Sequence, residues 1–318
     1  MDVVVGANVN YDHGYIGPPK TDSLVYADTI SNFTEKQMAS KRARFNFNLR
    51  YRAKKYKGLS FSGSSPFYVQ VDLLAEAQFG SISSKGTAAK GKEFYSMHYD
   101  SENGDQGKYG DFISFMATDS GTTTVTISMN NNSWFPSAST VTLTEGDIYT
   151  LGSGTYSTTN IGVKITSNKD IVVNSGSWAN IIGTGGGRDI GADQLVPVEY
   201  LGTDYLVNEG LSASNQGARA IVVATEDNTD IYVNNSLKKS NAAAGTYYSW
   251  NLKGRGNQLD HINADKPVLV YYQGYAASSA YNNQGMFLVA PLLTGNYPPG
   301  ATNAHFGKSF WDLKANNS

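Results

Sequence analysis

The sequence contains no cysteine, which excludes a disulfide framework and thiolate metal ligands. This absence does not fix the compartment, because exported and cytosolic proteins both often lack cysteine. Charge is also scarce, since charged residues make up 16% of the 318 residues against about 25% in typical soluble domains. The net charge of −2 gives no electrostatic basis for binding nucleic acid. No apolar run of about 18 residues occurs, so we expect no membrane-spanning helix.

Small and polar turn-forming residues take the place of the missing charge. The chain has 33 glycines and 21 tyrosines, together with many Asn, Ser and Thr residues. This composition favours strands and turns over surface helices, which use Glu and Lys. Short β-like segments at even spacing, separated by turn residues, are typical of a β-sandwich or jelly roll. The sequence therefore predicts an all-β fold.

A strand–turn–strand pattern occurs twice in the chain. Residues 112–116, apolar except for Ser114, lead into a polar turn at 117–121, and residues 221–223 lead into a similar turn at 224–229. The two turns begin 107 positions apart. Turn residues between two apolar or alternating runs are a hairpin signal.

A second pattern is repeated after the first. Residues 167–173 and 263–270 each combine an Asp–Lys turn with an apolar strand, and each is followed by a glycine and an aromatic residue. Two loose copies in the same order indicate an internal duplication, although chance similarity in a strand-rich chain is the alternative. We therefore expect tandem β-sandwich or jelly-roll-like units, preceded by a short β-hairpin region.

Composition changes along the chain suggest where these units begin and end. The segment 81–90 is rich in Ser, Gly, Ala and Lys and is predicted to be a linker, and Gly183–Arg188 is predicted to be a hinge. The predicted organisation is a β-hairpin appendage at 1–75, a linker at 76–90, a first β unit at 91–190, a second at 191–295, and an irregular tail at 296–318.

The N-terminal region differs in character from the rest. Residues 42–52 alternate strictly between an aromatic or apolar face and a polar face. With its neighbours, this segment resembles strands of TonB-dependent-receptor-type outer-membrane barrels. Two or three strands cannot close a barrel, so the stretch could not span a membrane alone. The alternative interpretations are an ordinary edge hairpin, or a fragment joined to the start of a secreted protein.

Five short motifs, spread over residues of about 90 to 293, resemble the IgGFc-binding-protein N-terminal domain family. They are Gly91–Phe94, Gln194–Pro197 with Gly202–Val207, Ala224–Thr229, Asp265–Val268 and Gln273–Gly274. The family occurs in animal mucus proteins and in bacterial surface or secreted proteins. The resemblance implies an all-β, extracellular module with a binding or adhesion role and no catalytic residues. It does not imply an immunoglobulin ligand for a bacterial member.

Few residues suggest catalysis or metal binding. The histidines, at 13, 98, 261 and 305, form no metal-binding pair in sequence, and no Gly-x-Ser-x-Gly elbow singles out a serine. One turn groups several oxygen ligands suited to calcium, namely Glu226, Asp227, Asn228 and Asp230. Asx-turn capping of a hairpin explains the same residues without a metal. No other cofactor is expected.

Aromatic residues near turns or strand ends are the candidate ligand-binding side chains. Exposed aromatics on a β scaffold can stack on sugars or anchor a protein partner. Core packing is the alternative role. The candidates are Trp134, Trp178, Tyr275 and Tyr281, with Tyr271 and Tyr272 as further aromatic residues in the same region.

These observations predict a non-catalytic, extracellular or cell-surface module, on the bacterial outer surface, that binds a glycan or a protein. It is expected to belong to a larger surface protein. The first alternative is a structural spacer whose ligand-binding part lies elsewhere. The second is a glycan hydrolase, which would need two carboxylates about 5–10 Å apart in an aromatic-lined cleft.

Overall fold

The computed structural model describes eleven stretches of the chain, which form an almost entirely antiparallel β structure. Within these stretches the helical segments are two short 3-10 helices, Gly86–Ala89 and Val198–Tyr200. The described residues are 2–5, 54–62, 70–75, 78–100, 110–128, 139–152, 160–180, 189–208, 218–252, 259–274 and 285–292.

Five strands precede the two main sheets. They are β1 (Asp2–Val5), β2 (Lys54–Lys57), β3 (Leu59–Ser62), β4 (Gln70–Ala75) and β5 (Gln78–Ser83). β1 pairs with β3, and β4 pairs with β5. The segment expected to be a linker, 76–90, thus contains β5 and the first 3-10 helix, in which Ala88 and Ala89 are buried. The alternating segment 42–52 lies outside the described residues.

Seven strands form the first unit. They are β6 (Gly91–Tyr95), β7 (Asp111–Ala117), β8 (Thr122–Ser128), β9 (Ser139–Thr144), β10 (Asp147–Gly152), β11 (Lys164–Asn180) and β12 (Asp189–Gln194). Their order is β10-β7-β11-β8-β9, with β6 and β12 also paired to β11. β2 adds to the outer edge of β10. The boundary expected at 190–191 falls inside β12.

Seven more strands form the second unit. They are β13 (Gly202–Asn208), β14 (Arg219–Ala224), β15 (Thr229–Val233), β16 (Ser236–Ala242), β17 (Tyr247–Asn251), β18 (Leu259–Gln273) and β19 (Met286–Leu288). Their order is β17-β14-β18-β15-β16, with β13 and β19 also paired to β18. Each strand of the first unit therefore has a counterpart with the same neighbours, and the predicted all-β fold of tandem, duplicated units is confirmed.

Each unit is built around one long, bent strand. The first half of β11 pairs with β6 and β8, and its second half pairs with β7 and β12. β18 is flanked in the same way by β13 and β15, then by β14 and β19. A register shift separates the two halves of both ladders, as expected where a β-bulge bends a strand. The second repeated sequence pattern, 167–173 and 263–270, lies at this bend.

The repeated polar turn is fastened to the bend by a threonine. Thr118 donates its hydroxyl hydrogen to the Asp170 carbonyl at 2.9 Å, and Thr225 donates to the Pro267 carbonyl at 2.6 Å. Ala117 pairs with Ile171 as Ala224 pairs with Val268, so the two turns are equivalent in register. The Ala-Thr pair in both copies therefore reflects a shared structural role.

A lysine in each bend also closes the turn. Lys169 donates to the Ser120 carbonyl at 2.6 Å, and Lys266 donates to the Asp227 carbonyl. The following turn residue is in the left-handed region in both copies, with φ +77° at Gly121 and +57° at Asn228. Glycine and asparagine tolerate this conformation best, which explains the substitution between the copies.

The largest hydrophobic core is shared by both units, and β14 shows how. Ile221 and Val223 face the shared core, which also holds Phe94, Phe115 and many other first-unit residues. The alternate β14 residues, Ala220 and Val222, face a second core that lies wholly within the second unit. Because successive side chains of a strand point to opposite faces, β14 is buried on both. The two units are therefore packed as one body around β14 and β18.

Candidate binding surface

An aromatic row crosses four strands of the second unit. In register, Trp250 of β17 pairs with Ala220 of β14, Ala220 pairs with Tyr272 of β18, and Tyr272 pairs with Phe287 of β19. Directly opposed residues of an antiparallel ladder point to the same face. The three aromatic side chains therefore lie side by side across the small Ala220.

This row is open to solvent at its Phe287 end, whereas its counterpart in the first unit is buried throughout. Phe287 is 50% exposed, Trp250 and Tyr272 are half-buried against the second core, and Ala220 is buried. The equivalent first-unit row has no aromatic residue and is at most 8% exposed; it consists of Leu151, Ile113, Ser175 and Asp193. The duplication has thus produced one buried row and one accessible aromatic row.

The rings of the row are held in defined positions. The Tyr272 and Phe287 rings stack with centroids 4.8 Å apart and an angle of 21° between their planes. Trp250 donates its indole N–H to the Asp260 Oδ2 at 2.9 Å, which fixes the indole against the start of β18. Lys238 places its amino group 4.9 Å from the centre of the Trp250 ring, a cation–π geometry. Such preorganised aromatic surfaces lose little side-chain entropy when a ligand binds.

One more aromatic residue extends this surface. Tyr248 packs against the second core two positions before Trp250, on the same face of β17, and burial raises the pKa of its phenol. We define the aromatic surface as Trp250, Tyr272, Phe287 and Tyr248. An aromatic patch with a rigid base and a solvent-exposed member is characteristic of an interaction site.

Polar contacts between the units converge on Asp100 from β14, β17 and β18. Arg219 donates to the Asp100 Oδ2 at 2.9 Å, and the Tyr247 hydroxyl donates to the other carboxylate oxygen at 3.0 Å. Gln273 accepts a hydrogen bond from the Asp100 backbone N–H at 2.8 Å. These bonds link the first unit to three strands that carry the aromatic surface, and so fix its orientation.

In the turn that the sequence suggests for calcium, two of the carboxylate oxygen atoms accept backbone hydrogen bonds. Asp227 Oδ1 accepts from the Ala244 N–H at 2.9 Å, and Asp230 Oδ1 accepts from the Asn241 N–H at 2.8 Å. Lys266 brings a positive charge to the same turn. Glu226 and Asn228 are exposed, and no cluster of three or more His, Asp or Glu side chains in the described part of the chain could hold a metal. Calcium binding stays a prediction.

The aromatic residues predicted from sequence are mostly outside the described residues. Trp134, Tyr275 and Tyr281 lie outside the described residues, and Trp178 lies in β11. Tyr271 is fully buried in the shared core, whereas its neighbour Tyr272 is part of the aromatic surface. Sequence reasoning missed Trp250 and Phe287. The cluster of aromatics at 247–250 was a usable signal for Trp250, but Phe287 becomes a candidate only through its pairing with Tyr272.

The histidines show no catalytic arrangement within the described residues. His98 is fully buried, with its Nδ1 2.9 Å from the Gly176 carbonyl oxygen. His261 is on the outer face of β18, 3.1 Å from Asp204. Burial raises the pKa of Asp204, but hydrogen bonds from Asn263, Thr203 and His261 outweigh it and lower the pKa overall. Neither histidine lies beside a serine or threonine in a hydrogen bond that would activate a nucleophile, among the contacts of the described residues.

The duplicated sheets and the aromatic surface define an all-β module of the binding type. The chain belongs to the IgGFc binding protein family, whose model matches residues 82–297. The family resemblance predicted over residues 90–293 is therefore confirmed. Domains of this family are generally extracellular or located at the cell surface.

Other comparisons add little. No curated protein matches the chain. Among solved structures, the chain is similar to an anti-sigma factor domain-containing protein, with 9% identity, coverage of 70% of this chain and 89% of that chain, and a TM-score of 0.18. A score this low gives no support for a shared fold. No helix in the described stretches is long and apolar enough to cross a bilayer.

Proposed function

We propose that this chain is a non-catalytic ligand-binding module of a protein displayed on the outside of a bacterial cell, and that it recognises a protein ligand through the aromatic surface. Membership of a binding-type family supports a binding role. The observation that carries the proposal is the aromatic row of Trp250, Tyr272 and Phe287, which is half-buried to exposed, whereas its counterpart in the first unit is buried. Tryptophan and tyrosine are the residues that most often dominate protein–protein binding energy.

The charge around the surface favours a protein ligand over a nucleic acid. Lys238 lies over Trp250, and the Asp260 carboxylate that accepts the indole hydrogen bond is buried. One lysine beside the ring does not make the basic field that a phosphate backbone requires. Aromatic side chains at the centre of a patch match the usual anatomy of a protein interface.

The test is a binding screen of the purified full chain on arrays of extracellular proteins and glycans, followed by substitutions. Phe287→Ala is expected to weaken binding of the identified ligand by about tenfold or more, as for a central interface aromatic. Leu237→Ala is the matched control, because Leu237 is 49% exposed, close to the 50% of Phe287, but is on β16. The control is expected to bind with unchanged affinity.

Two results would contradict the proposal. If both variants bind as tightly as the parent chain, the ligand uses another surface. If no array component binds at all, the spacer interpretation gains support. Both variants should retain the parent melting temperature, because the replaced side chains are half exposed to solvent.

A glycan is the second candidate ligand. Phe287 stacks on Tyr272 and is 50% exposed, so the apolar face of a sugar can lie on its outer ring face. The same array and the same variants distinguish the two ligand classes. A glycan ligand would also quench or shift the fluorescence of Trp250 on titration, with a loss of the change in Trp250→Phe.

A further inference from the structure

Comparison of the two units reveals an edge that is filled in one and open in the other. In the first unit, β2 pairs antiparallel with the outer side of β10, with Tyr56 opposite Ile148 and Lys54 opposite Thr150. β10 has β17 as its counterpart in the second unit, because both pair with the strand that opens the polar turn. Among the described strands, β17 pairs only with β14. In the first unit a strand has therefore added to the edge that is equivalent to the outer edge of β17.

The backbone of β17 has the geometry that an added strand needs. The Thr246 carbonyl accepts from the Ala224 N–H, and the Leu252 N–H donates to the Ala218 carbonyl. Because hydrogen-bonding groups alternate in direction along a strand, Thr246, Tyr248 and Trp250 face β14. Ser249 and Asn251 then direct their backbone N–H and C=O groups away from β14, toward the open edge. Ser249 is the counterpart of Thr150, which faces β2.

The opposite edge of the same sheet is protected against such pairing. The β15–β16 ladder contains two register shifts, and Asn241 of β16 has a φ of +50°. β16 also carries Lys238 and Lys239. Bulges and lysines are the devices that keep edge strands from pairing with other chains. The β14–β17 ladder has no register shift over its five pairs and no lysine, so β17 lacks this protection.

We propose that the outer edge of β17 is a strand-acceptor site, where an extended segment of the protein ligand pairs antiparallel with residues 247–251. The inference rests on the proposed function and specifies how the ligand binds. An added strand would extend the aromatic row by one residue, because its residue opposite Trp250 falls in line with Ala220, Tyr272 and Phe287. Backbone hydrogen bonds would supply affinity, and contacts with Trp250 and Tyr248 would select the side chains.

The chemistry of the ligand segment follows from this geometry. It is an extended stretch of about five residues without proline at the positions that face β17, since proline has no N–H to donate. Its side chains alternate, with an apolar or aromatic residue beside Trp250. β2 itself, Lys54–Lys57, already forms a ladder of this kind on the equivalent edge, over four residues without proline.

The test uses the full chain and a synthetic peptide spanning residues 52–60, which contains β2. Amide hydrogen exchange is expected to slow at Ser249 and Asn251 when the peptide is added. A peptide N-methylated at the amides that face β17 is the matched control and is expected to give no protection. Ser249→Pro removes the outward N–H but no bond to β14, so this variant should fold and bind the peptide at least about tenfold more weakly.

Several outcomes would overturn the proposal. One is unchanged exchange at Ser249 and Asn251 with saturating peptide, and another is equal binding by the methylated peptide or by folded Ser249→Pro. Protection at Thr150 instead would show that the peptide replaces β2 on β10. Dimers of the chain without peptide, abolished by Ser249→Pro, would make a second copy the occupant. Because none of these readouts uses Phe287 or an array ligand, failure here is distinguishable from failure of the proposed function.

Discussion

At the scale of single residues, His98 is a buried titratable group at the junction of the two units. Its Nδ1 lies 2.9 Å from the Gly176 carbonyl oxygen, so this nitrogen carries the hydrogen in the neutral ring. Its Nε2 has no hydrogen-bond partner among the described residues. Burial lowers the pKa of His98, and the nearby Asp111 carboxylate and the Gly176 carbonyl only partly oppose this effect. A proton on Nε2 would therefore be poorly accommodated.

This arrangement predicts acid sensitivity. The pKa of His98 is lower in the folded chain than its ordinary value of 6.5, so below about pH 6.5 the unfolded chain takes up a proton that the folded chain does not. Stability is then lost as pH falls through this range, by at most about 1.4 kcal/mol per pH unit. Above it, His98 makes no pH-dependent contribution. Chemical denaturation between pH 8 and pH 5.5 measures the slope.

His98→Asn tests the assignment, because the asparagine amide can still donate to the Gly176 carbonyl. This variant should be less stable at pH 8 but lose less stability between pH 8 and pH 5.5 than the parent. Leu237→Ala is the control, since Leu237 does not titrate and is 49% exposed, and this change should leave the parent slope in place. An identical slope in His98→Asn would assign the acid sensitivity to other groups.

A second residue-scale prediction concerns Tyr271. Its hydroxyl donates to the His98 carbonyl at 2.8 Å across the shared core, and both partners are fully buried. Tyr271→Phe leaves that carbonyl without its hydrogen bond and should cost about 1–3 kcal/mol of unfolding free energy. Urea denaturation measures this value. Tyr232→Phe, at a half-buried tyrosine of the same unit, should change stability by less than about 0.5 kcal/mol; an equal loss in both would argue against the buried bond.

The sequence predicted candidate residues less well than it predicted strands. Tyr271 and Tyr272 are adjacent, yet one is buried at the junction and the other is on the surface, because successive residues of β18 face opposite sides. To assign Tyr271 to the core and Tyr272 to the surface, one must know which elements pack on each face of β14 and β18. No local sequence pattern gives this information. Phe287 depends in the same way on a pairing between β18 and β19.

At the scale of elements, the duplicated turn explains why its sequence pattern could be recognised. The threonine and the lysine of each copy make equivalent hydrogen bonds to equivalent carbonyls. Such local constraints preserve residue types in both copies. The runs that lead into the two turns are also strands: residues 112–116 lie within Asp111–Ala117, and residues 221–223 lie within Arg219–Ala224. The bend in β18 was not expected, because it depends on pairing with different strands on its two halves.

The same turn gives a prediction about calcium. Since Asp227 and Asp230 accept backbone hydrogen bonds and Lys266 adds a positive charge, millimolar calcium should change the melting temperature by less than about 1 °C. Differential scanning fluorimetry with calcium, and with magnesium as the control cation, measures this. A calcium-specific rise that disappears in Asp227→Asn would instead support a metal site at this turn.

At the scale of the whole molecule, the shared core predicts one unfolding transition. Leu269 and Tyr271 of the second unit lie in the same core as Ile113 and Phe115 of the first. The two units should therefore unfold together, with a calorimetric enthalpy equal to the van't Hoff enthalpy. Leu269→Ala should cost about 2–5 kcal/mol and lower hydrogen-exchange protection in β7 as well as in β18.

Leu237→Ala, on the exposed edge strand β16, is the control and should leave both units unaffected. Two separate calorimetric transitions, or a loss of protection confined to β18, would show that the units are stable independently. The sequence predicted two units but did not predict a common core, because the residues that join them are apolar residues of ordinary-looking strands.

The contact between the two duplicated units is asymmetric. The second unit buries Ile221 and Tyr271 on the first, whereas the equivalent first-unit positions are occupied by Ser114 and Asn174. The copies therefore meet through non-equivalent faces, in the head-to-tail manner of a repeat array rather than about a two-fold axis. An ancestral recombination that exchanged their order would place polar side chains in the contact and leave Ile221 and Tyr271 in water. Exchanging the order of the two copies would therefore cost the burial that now joins them.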